Sequence, residues 1–145
     1  IWGEPVTALF ETLDAGFSLA TTMHAAGPED LFQQICEGNG ISDEAVSSIE
    51  YLVFTERFGD TDETYWRRVT GVYEVARVRN GVQEVPKLPE WVRNADSCVS
   101  TAPAKRLSTS GTVIRERAAA IRRLVNAGDT SPAALDSLVM HELKL

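Results

Sequence analysis

The sequence predicts an α/β fold with a β meander and a C-terminal helical tail, and three observations predict it. Near the start, apolar residues recur at helical spacing, a glycine ends the pattern and a short apolar run follows. From residue 51 the spacing becomes that of strands, with many β-branched and aromatic side chains. After residue 110 helical spacing returns. A sheet flanked in sequence by helices is therefore expected.

The first helix is expected to begin at Glu4-Pro5 and to end at Gly16. Proline suits the first helical turn, where its missing N–H has no intrahelical partner, and glycine suits a left-handed cap. The apolar residues between them share one face and are Val6, Leu9, Phe10 and Leu13. The apolar run over 17–23 is too short for another helix, so it is predicted to be a buried strand with polar residues at its exit.

Two further helices are predicted before the meander. Gly27-Pro28-Glu29-Asp30 begins the first, with acidic residues where the helix dipole favours them, and Gly38-Asn39-Gly40 ends it. Ser42 caps the second, shorter helix.

The meander is predicted to occupy residues 51–87. Its strands are expected over Tyr51–Phe58, from Thr64 to Val69 and from Gly71 to Val78. Asn80-Gly81 indicates a hairpin turn, after which the chain would return antiparallel.

Residues 88–110 are predicted to be a linker or loop, because they hold prolines, serines and threonines and few large apolar residues. A helix is predicted from Thr112 to Ala127, and Ser131-Pro132 is expected to begin the last one. The predicted organisation is therefore an α/β part over 1–87, the connection, and a helical pair over 111–145.

Composition narrows the class of protein. A chain of 145 residues is one domain or a piece of one, and its net charge of −7 argues against a general nucleic-acid binder, which would carry a basic face. Cys36 and Cys98 form no metal-ligand spacing, so neither structural zinc nor a disulfide framework is predicted, and a reducing intracellular setting is expected. The opening Ile1-Trp2-Gly3-Glu4 is expected to be the interior of a longer protein.

The order of motifs over residues 1–85 resembles the type II/type IV secretion ATPases, the hexameric motors of type II secretion, type IV pili, the archaeal flagellum and conjugation. Trp2–Gly16 resembles the segment that follows the Walker B motif in that family. Thr22-Met23-His24-Ala25 looks like its His box, Thr-x-His-Ala. The segment 66–75 resembles its Arg-Arg-Val-Thr strand pair, and the helix with Arg117-Ala118 resembles the C-terminal helices of archaeal members.

The resemblance implies that residues 1–87 are the C-terminal part of a RecA-like P-loop NTPase domain. The parent protein would use ATP and Mg²⁺, form a homo-hexameric ring, and power protein secretion or pilus or archaellum assembly. It would lie in the cytoplasm at the inner face of the membrane, on a membrane platform protein, with no nucleic-acid partner. Scarce lysine beside many acidic residues indicates a haloarchaeal member.

The sequence departs from the family at three points. Trp2 stands where the family has arginine, Phe17 stands where it has histidine, and the chain contains no GxxxxGK[ST] phosphate loop. This chain alone is therefore expected to be inactive and to hold no cofactor. A non-catalytic assembly or docking module is the alternative that these substitutions favour, and an unrelated α+β domain is a third.

Within the resemblance, His24 and Thr22 are the candidate catalytic residues. The family's equivalent of His24 lies near the γ-phosphate and helps to couple hydrolysis to movement, and an imidazole can donate to a phosphate oxygen. The hydroxyl of Thr22 would orient water or a phosphate. The alternatives are a histidine satisfied by nearby backbone and ordinary β-branched strand residues at Thr21 and Thr22.

Arg67 and Arg68 are the candidate nucleotide-binding cations. Neighbours on a strand point to opposite faces, so one could act as an arginine finger on an adjacent subunit while the other is solvated or paired with an acid such as Glu56. Two surface cations are the alternative. Asp60, Asp62 and Glu63 are expected to form a solvated turn, and the arginines over 115–123 a solvated helix face, an acidic-lipid contact or a partner contact.

Overall fold

The computed structural model describes residues 3–59, 61, 64–79, 82–106, 111–129 and 131–140. Of these, the side chains of Glu4, Asp14, Val82 and Gln83 lie outside the description. The chain divides into two compact units, Ile1–Arg106 and Leu107–Leu145. Helices and an antiparallel sheet make up the first unit and helices the second, so the protein has a mixed α and β fold.

The first unit begins with helices and continues with strands. The helices are α1 (Glu4–Asp14), α2 (Pro28–Asn39) and α3 (Asp43–Val46). The strands are β1 (Tyr51–Phe58), β2 (Trp66–Glu74), β3 (Arg77–Arg79), β4 (Val82–Glu84), β5 (Lys87–Val92) and β6 (Ser97–Ser100). In the second unit, α4 (Gly111–Asn126) is followed by α5 (Pro132–Leu138).

The main sheet has four strands in the order β1-β2-β5-β6, and every neighbouring pair is antiparallel. Between β2 and β5 in the sequence, β3 and β4 form a separate two-stranded antiparallel hairpin that is not part of this sheet. The β1–β2 register shifts between Phe54 and Thr55, since Phe54 lies opposite Gly71 whereas Thr55 lies opposite Val69. Thr70 is therefore an extra residue on β2, which is a β-bulge.

The core of the first unit lies between the helices and one end of the sheet. Its buried residues are Val6, Leu31, Phe32, Ile35, Ile41, Val46, Leu52, Val75 and Val78. Helix α2 supplies three of them because Leu31, Phe32 and Ile35 lie on one of its faces. The helices and the sheet thus share one apolar interior.

The predicted helix ends are confirmed. Ser42 and Ser131 cap α3 and α5, each through a side-chain oxygen that accepts the backbone N–H three residues on. Pro5 lies in the first turn of α1, and Gly16 after it has a φ of 90°. The predicted hairpin is present in β3 and β4, while its Asn80-Gly81 turn lies outside the described residues.

The prediction of a buried strand over 17–23 is wrong. This segment has no regular secondary structure, and Phe17 and Leu19 are 66% and 42% exposed. A strand requires a neighbouring strand to satisfy its backbone groups, and no described strand pairs with these residues. An apolar run does not show whether a neighbouring strand is available to pair with it.

The prediction of a linker or loop over 88–110 is wrong for its first half, because most of β5 and all of β6 lie there. Pro89 lies within β5 opposite Ser100, and all four residues of β6 are exposed. The composition of this segment did not indicate β6, because a short, exposed edge strand needs few apolar residues. The predicted break between two strands near Gly71 is also wrong, since Gly71 lies inside β2.

Candidate functional site

The Thr22–Ala25 segment exposes its polar side chains and packs its apolar ones. Met23 and Ala25 pack against the core of the first unit, whereas Thr22 and His24 are exposed. Thr21 is exposed as well. An alternating pattern of this kind holds the backbone on the protein surface with Thr22 and His24 directed outwards. A hydroxyl and an imidazole are thereby accessible to a ligand.

Helix α2 fastens this segment through two polar side chains. Asp30 accepts a hydrogen bond from the backbone N–H of Ala26 at 2.6 Å, and Gln34 donates to the carbonyl oxygen of His24 at 3.1 Å. Gln34 also donates to Asp30 at 3.0 Å, so the two anchors support each other. The Ala26 N–H and the Gln34 amide lower the pKa of Asp30, because both stabilise its charged form.

The start of α1 is fastened to the other end of α2. The backbone N–H of Gly3 donates to Asn39 Oδ1 at 2.7 Å, and Asn39 Nδ2 donates to the carbonyl oxygen of Gln34 at 2.7 Å. The polar network on α2 therefore positions both the beginning of α1 and the His24 segment. Sequence reasoning missed Asp30, Gln34 and Asn39 as positioning residues.

Arg67 lies on an exposed face of the sheet beside a second arginine. It is opposite Arg57 in the β1–β2 register, and both guanidinium groups lie over the ring of Tyr65, at 4.9 Å and 4.6 Å from its centroid. Arg57 also donates to the carbonyl oxygen of Thr61 at 3.3 Å. The Tyr65 ring attracts both cations and so moderates their mutual repulsion.

Arg68 lies on the opposite face and is bound in place by an acid. Its Nε and Nη2 donate to the two carboxylate oxygens of Asp96, each at 2.8 Å, and Trp91 Nε1 donates to Asp96 Oδ1 at 2.9 Å. The Arg68 hydrogen bonds, followed by that of Trp91, lower the pKa of Asp96 to about 2. The predicted opposite orientation of Arg67 and Arg68 agrees with the register, whereas the acid bound to Arg68 is Asp96 and not Glu56.

An aromatic cluster surrounds this ion pair. The rings of Phe58 and Trp66 stack at 4.5 Å between centroids, and Trp91 lies 4.9 Å from Phe58 and 6.0 Å from Trp66. Arg68 lies over Trp66 at 4.7 Å and Arg93 over Phe58 at 5.0 Å. The side chain of Arg68 is therefore packed against aromatic rings on this face of the sheet.

Glu74 is a buried carboxylate that the sequence did not single out. It is 1% exposed and accepts the backbone N–H groups of Lys105, at 2.7 Å, and Arg106, at 2.9 Å. The two donors satisfy an acid that would otherwise be costly to bury. Glu74 thereby fixes the segment that follows β6 to the end of β2.

The structure does not join all the predicted site residues. Among the described residues, no hydrogen bond, ion pair or ring contact connects Thr22 or His24 with Arg67 or Arg68. The described part of the chain also contains no group of three or more His, Cys, Asp or Glu residues that could hold a metal ion. The predicted acidic turn at Asp60, Asp62 and Glu63 lies outside the described residues.

None of the helices described in the structure is both long enough and apolar enough to cross a membrane. Comparison with known proteins finds no family model that matches this chain and no curated protein that matches it.

Proposed function

We propose that this chain is the C-terminal part of the RecA-like core of a hexameric secretion ATPase, which powers protein secretion or pilus or archaellum assembly. It would supply the His box and part of the surface between subunits. The proposal rests on the motif order described above. The observation that supports it best is the outward orientation of Thr22 and His24 on a segment fastened to α2.

The anchoring of this segment suits a coupling role. Only the backbone of His24 is engaged by Gln34, so its imidazole is available to a phosphate oxygen or to an acid of the parent protein. The hydroxyl of Thr22 is exposed on the same side of the segment. The segment is held by a core helix, so a change in its contacts with a nucleotide would be transmitted to α2.

Arg67 is a better candidate than Arg68 for a contact with the nucleotide of an adjacent subunit. The guanidinium of Arg68 is engaged by Asp96 and packed on Trp66, whereas that of Arg67 lies on an exposed ring. An arginine that reaches across a subunit boundary stabilises the charge that develops during phosphoryl transfer. In this proposal ATP and Mg²⁺ are held mainly by other parts of the parent protein, because this chain contains no GxxxxGK[ST] loop.

A non-catalytic assembly or docking module of a secretion or pilus system is the second candidate. The observation that favours it is Phe17, which is 66% exposed at the position where the resembled family has a polar histidine. An exposed phenylalanine suits contact with another protein better than it suits chemistry on a phosphate.

The decisive experiment begins with the coding sequence upstream of residue 1. The proposal expects a continuous reading frame with a GxxxxGK[ST] loop and a Walker B acid. In that longer protein, His24→Ala should lower ATP hydrolysis by about 10²-fold while ATP binding and ring size stay unchanged, since the imidazole acts on the transition state.

Glu29→Ala is the matched control, because Glu29 is exposed in the first turn of α2 and has no part in the proposed site. It should hydrolyse ATP at the original rate. An unchanged rate of ATP hydrolysis by the His24→Ala protein would contradict the catalytic proposal. A parent protein without a GxxxxGK[ST] loop would favour the docking module.

A further inference from the structure

Helix α4 exposes a narrow apolar stripe, which we call the α4 stripe. It consists of Ile114, Ala118, Ile121 and Val125, whose spacing of four, three and four residues puts them along one side of the helix. Ile114, Ile121 and Val125 are 44%, 46% and 58% exposed. These are large apolar side chains in water, at the a and d spacing of a coiled-coil seam.

The side of α4 that is already covered is a different one. Ala120 is buried, and Val113, Arg117 and Leu124 are half-buried along the adjacent side of the helix. Helix α5, with its buried Leu138, packs against α4. The α4 stripe is therefore additional to the apolar contacts within the second unit.

The charges beside the stripe have one sign. Arg115 and Arg122 are exposed and occupy equivalent positions of successive heptads next to the seam, and Arg117 flanks its other side. In an antiparallel pair of α4 helices, Arg115 would face Arg122 of the second copy. Like charges would then lie together, so the two exposed arginines disfavour that pairing and are complementary to an acidic seam.

The stripe is also poorly suited to a membrane surface. Helices that lie in a membrane interface carry a broad apolar face rich in Trp, Phe and Leu. The α4 stripe is one side chain wide, contains no aromatic residue and includes Ala118, and the exposed Glu116 lies on the far side of the helix. A small residue at a seam position instead allows close approach of another helix.

We propose that the α4 stripe docks an acidic amphipathic helix of a partner protein. The partner helix carries apolar residues at heptad spacing, which cover Ile114, Ile121 and Val125. Its Glu or Asp residues beside the seam pair with Arg115 and Arg122. The inference is independent of ATP hydrolysis and of the His24 segment.

The test uses two synthetic heptad peptides with Ile at a, Leu at d, and either Glu or Lys at every e and g position. The full chain should bind the Glu peptide in isothermal titration calorimetry at low salt, and the Lys peptide at least tenfold more weakly. Ile121→Ala should weaken binding of the Glu peptide about tenfold, because it truncates a central apolar contact. Alanine is a strong helix former and Ile121 is exposed, so this variant should fold.

Glu116→Ala is the matched control and should bind the Glu peptide as the original chain does, since Glu116 lies away from the stripe. Equal binding of the two peptides, or unchanged binding by Ile121→Ala, would overturn the proposal. It would also be overturned if Ile121→Ala abolished self-association in sedimentation, or abolished binding to phosphatidylserine vesicles, without weakening peptide binding.

Discussion

Two adjacent arginines show how strongly position on a strand determines the role of a side chain. Arg67 and Arg68 have the same chemistry, yet Arg68 forms a bidentate ion pair with Asp96 while Arg67 lies over the ring of Tyr65. Period-two alternation of a strand explains the separation. The identity of the acid was not predictable, because Asp96 lies 28 residues further along the chain, in a segment that its composition marks as a loop.

Arg68→Gln should raise the pKa of Asp96 from about 2 towards the ordinary value of 3.8, because it removes the largest cause of the shift. A pKa lowered by folding contributes stability that is complete above the unfolded value and is lost as the pH falls from about 4 towards 2. The variant should therefore lose less stability over that range. Carbon-13 NMR titration of the Asp96 carboxyl group measures the pKa directly.

Arg67→Gln is the control for this prediction, since Arg67 points away from Asp96 on the other face of the sheet. It should leave the pKa of Asp96 where it was. The assignment of the ion pair would be wrong if both variants raised the pKa equally.

Helix α2 contributes to the first unit through both its apolar and its polar side chains. Its apolar face supplies Leu31, Phe32 and Ile35 to the core, and its polar side chains fasten the beginning of α1 and the His24 segment. Phe32 is 1% exposed, whereas Phe17, which precedes the His24 segment, is 66% exposed. The two phenylalanines therefore form a natural pair for measuring what burial contributes.

Phe32→Ala should lower the free energy of unfolding by about 3–5 kcal/mol, because it removes a buried aromatic ring and leaves a cavity. Phe17→Ala should change it by less than about 0.5 kcal/mol, since an exposed side chain loses few contacts. Urea unfolding followed by tryptophan fluorescence measures both. Equal losses would mean that Phe17 packs in solution.

Whether a helix or strand could be predicted from the sequence depended on whether local residues or distant contacts determine it. Local chemistry determines helix ends, so Ser42, Ser131 and Gly16 were predictable from the sequence. Strand formation depends on a partner, so the apolar run from Phe17 was mistaken for a strand and the exposed β6 for a loop. The partners of Glu74 and Arg68 depend on tertiary contacts, which no local pattern contains.

The two units differ in how much apolar surface they bury. The first has a core that draws on three helices and the sheet, whereas in the described part of the second Ala120 and Leu138 are the buried apolar residues. Small units with few buried residues are marginally stable, because burial must offset the entropy of ordering the chain. The second unit is therefore expected to unfold locally at a lower free-energy cost than the first.

Hydrogen exchange should show this difference along the whole chain. Amides in α4 should exchange at least tenfold faster than those in β2, because local opening of the second unit needs less free energy than opening of the sheet. Mass spectrometry of peptic fragments measures both in one experiment. Equal protection of α4 and β2 would show that the chain unfolds as one cooperative unit.

The extra residue at Thr70 determines the side-chain neighbours along the outer half of β1 and β2. If Thr70 paired with Thr55 and the ladder continued from Phe54 and Gly71 without a shift, Phe58 would face Arg67. The ring stack of Phe58 with Trp66 therefore depends on Thr70 being left out of the pairing. Deleting Thr70 would remove the bulge and straighten β2, yet it would keep Phe58 opposite Trp66 and every other pair of the outer half unchanged.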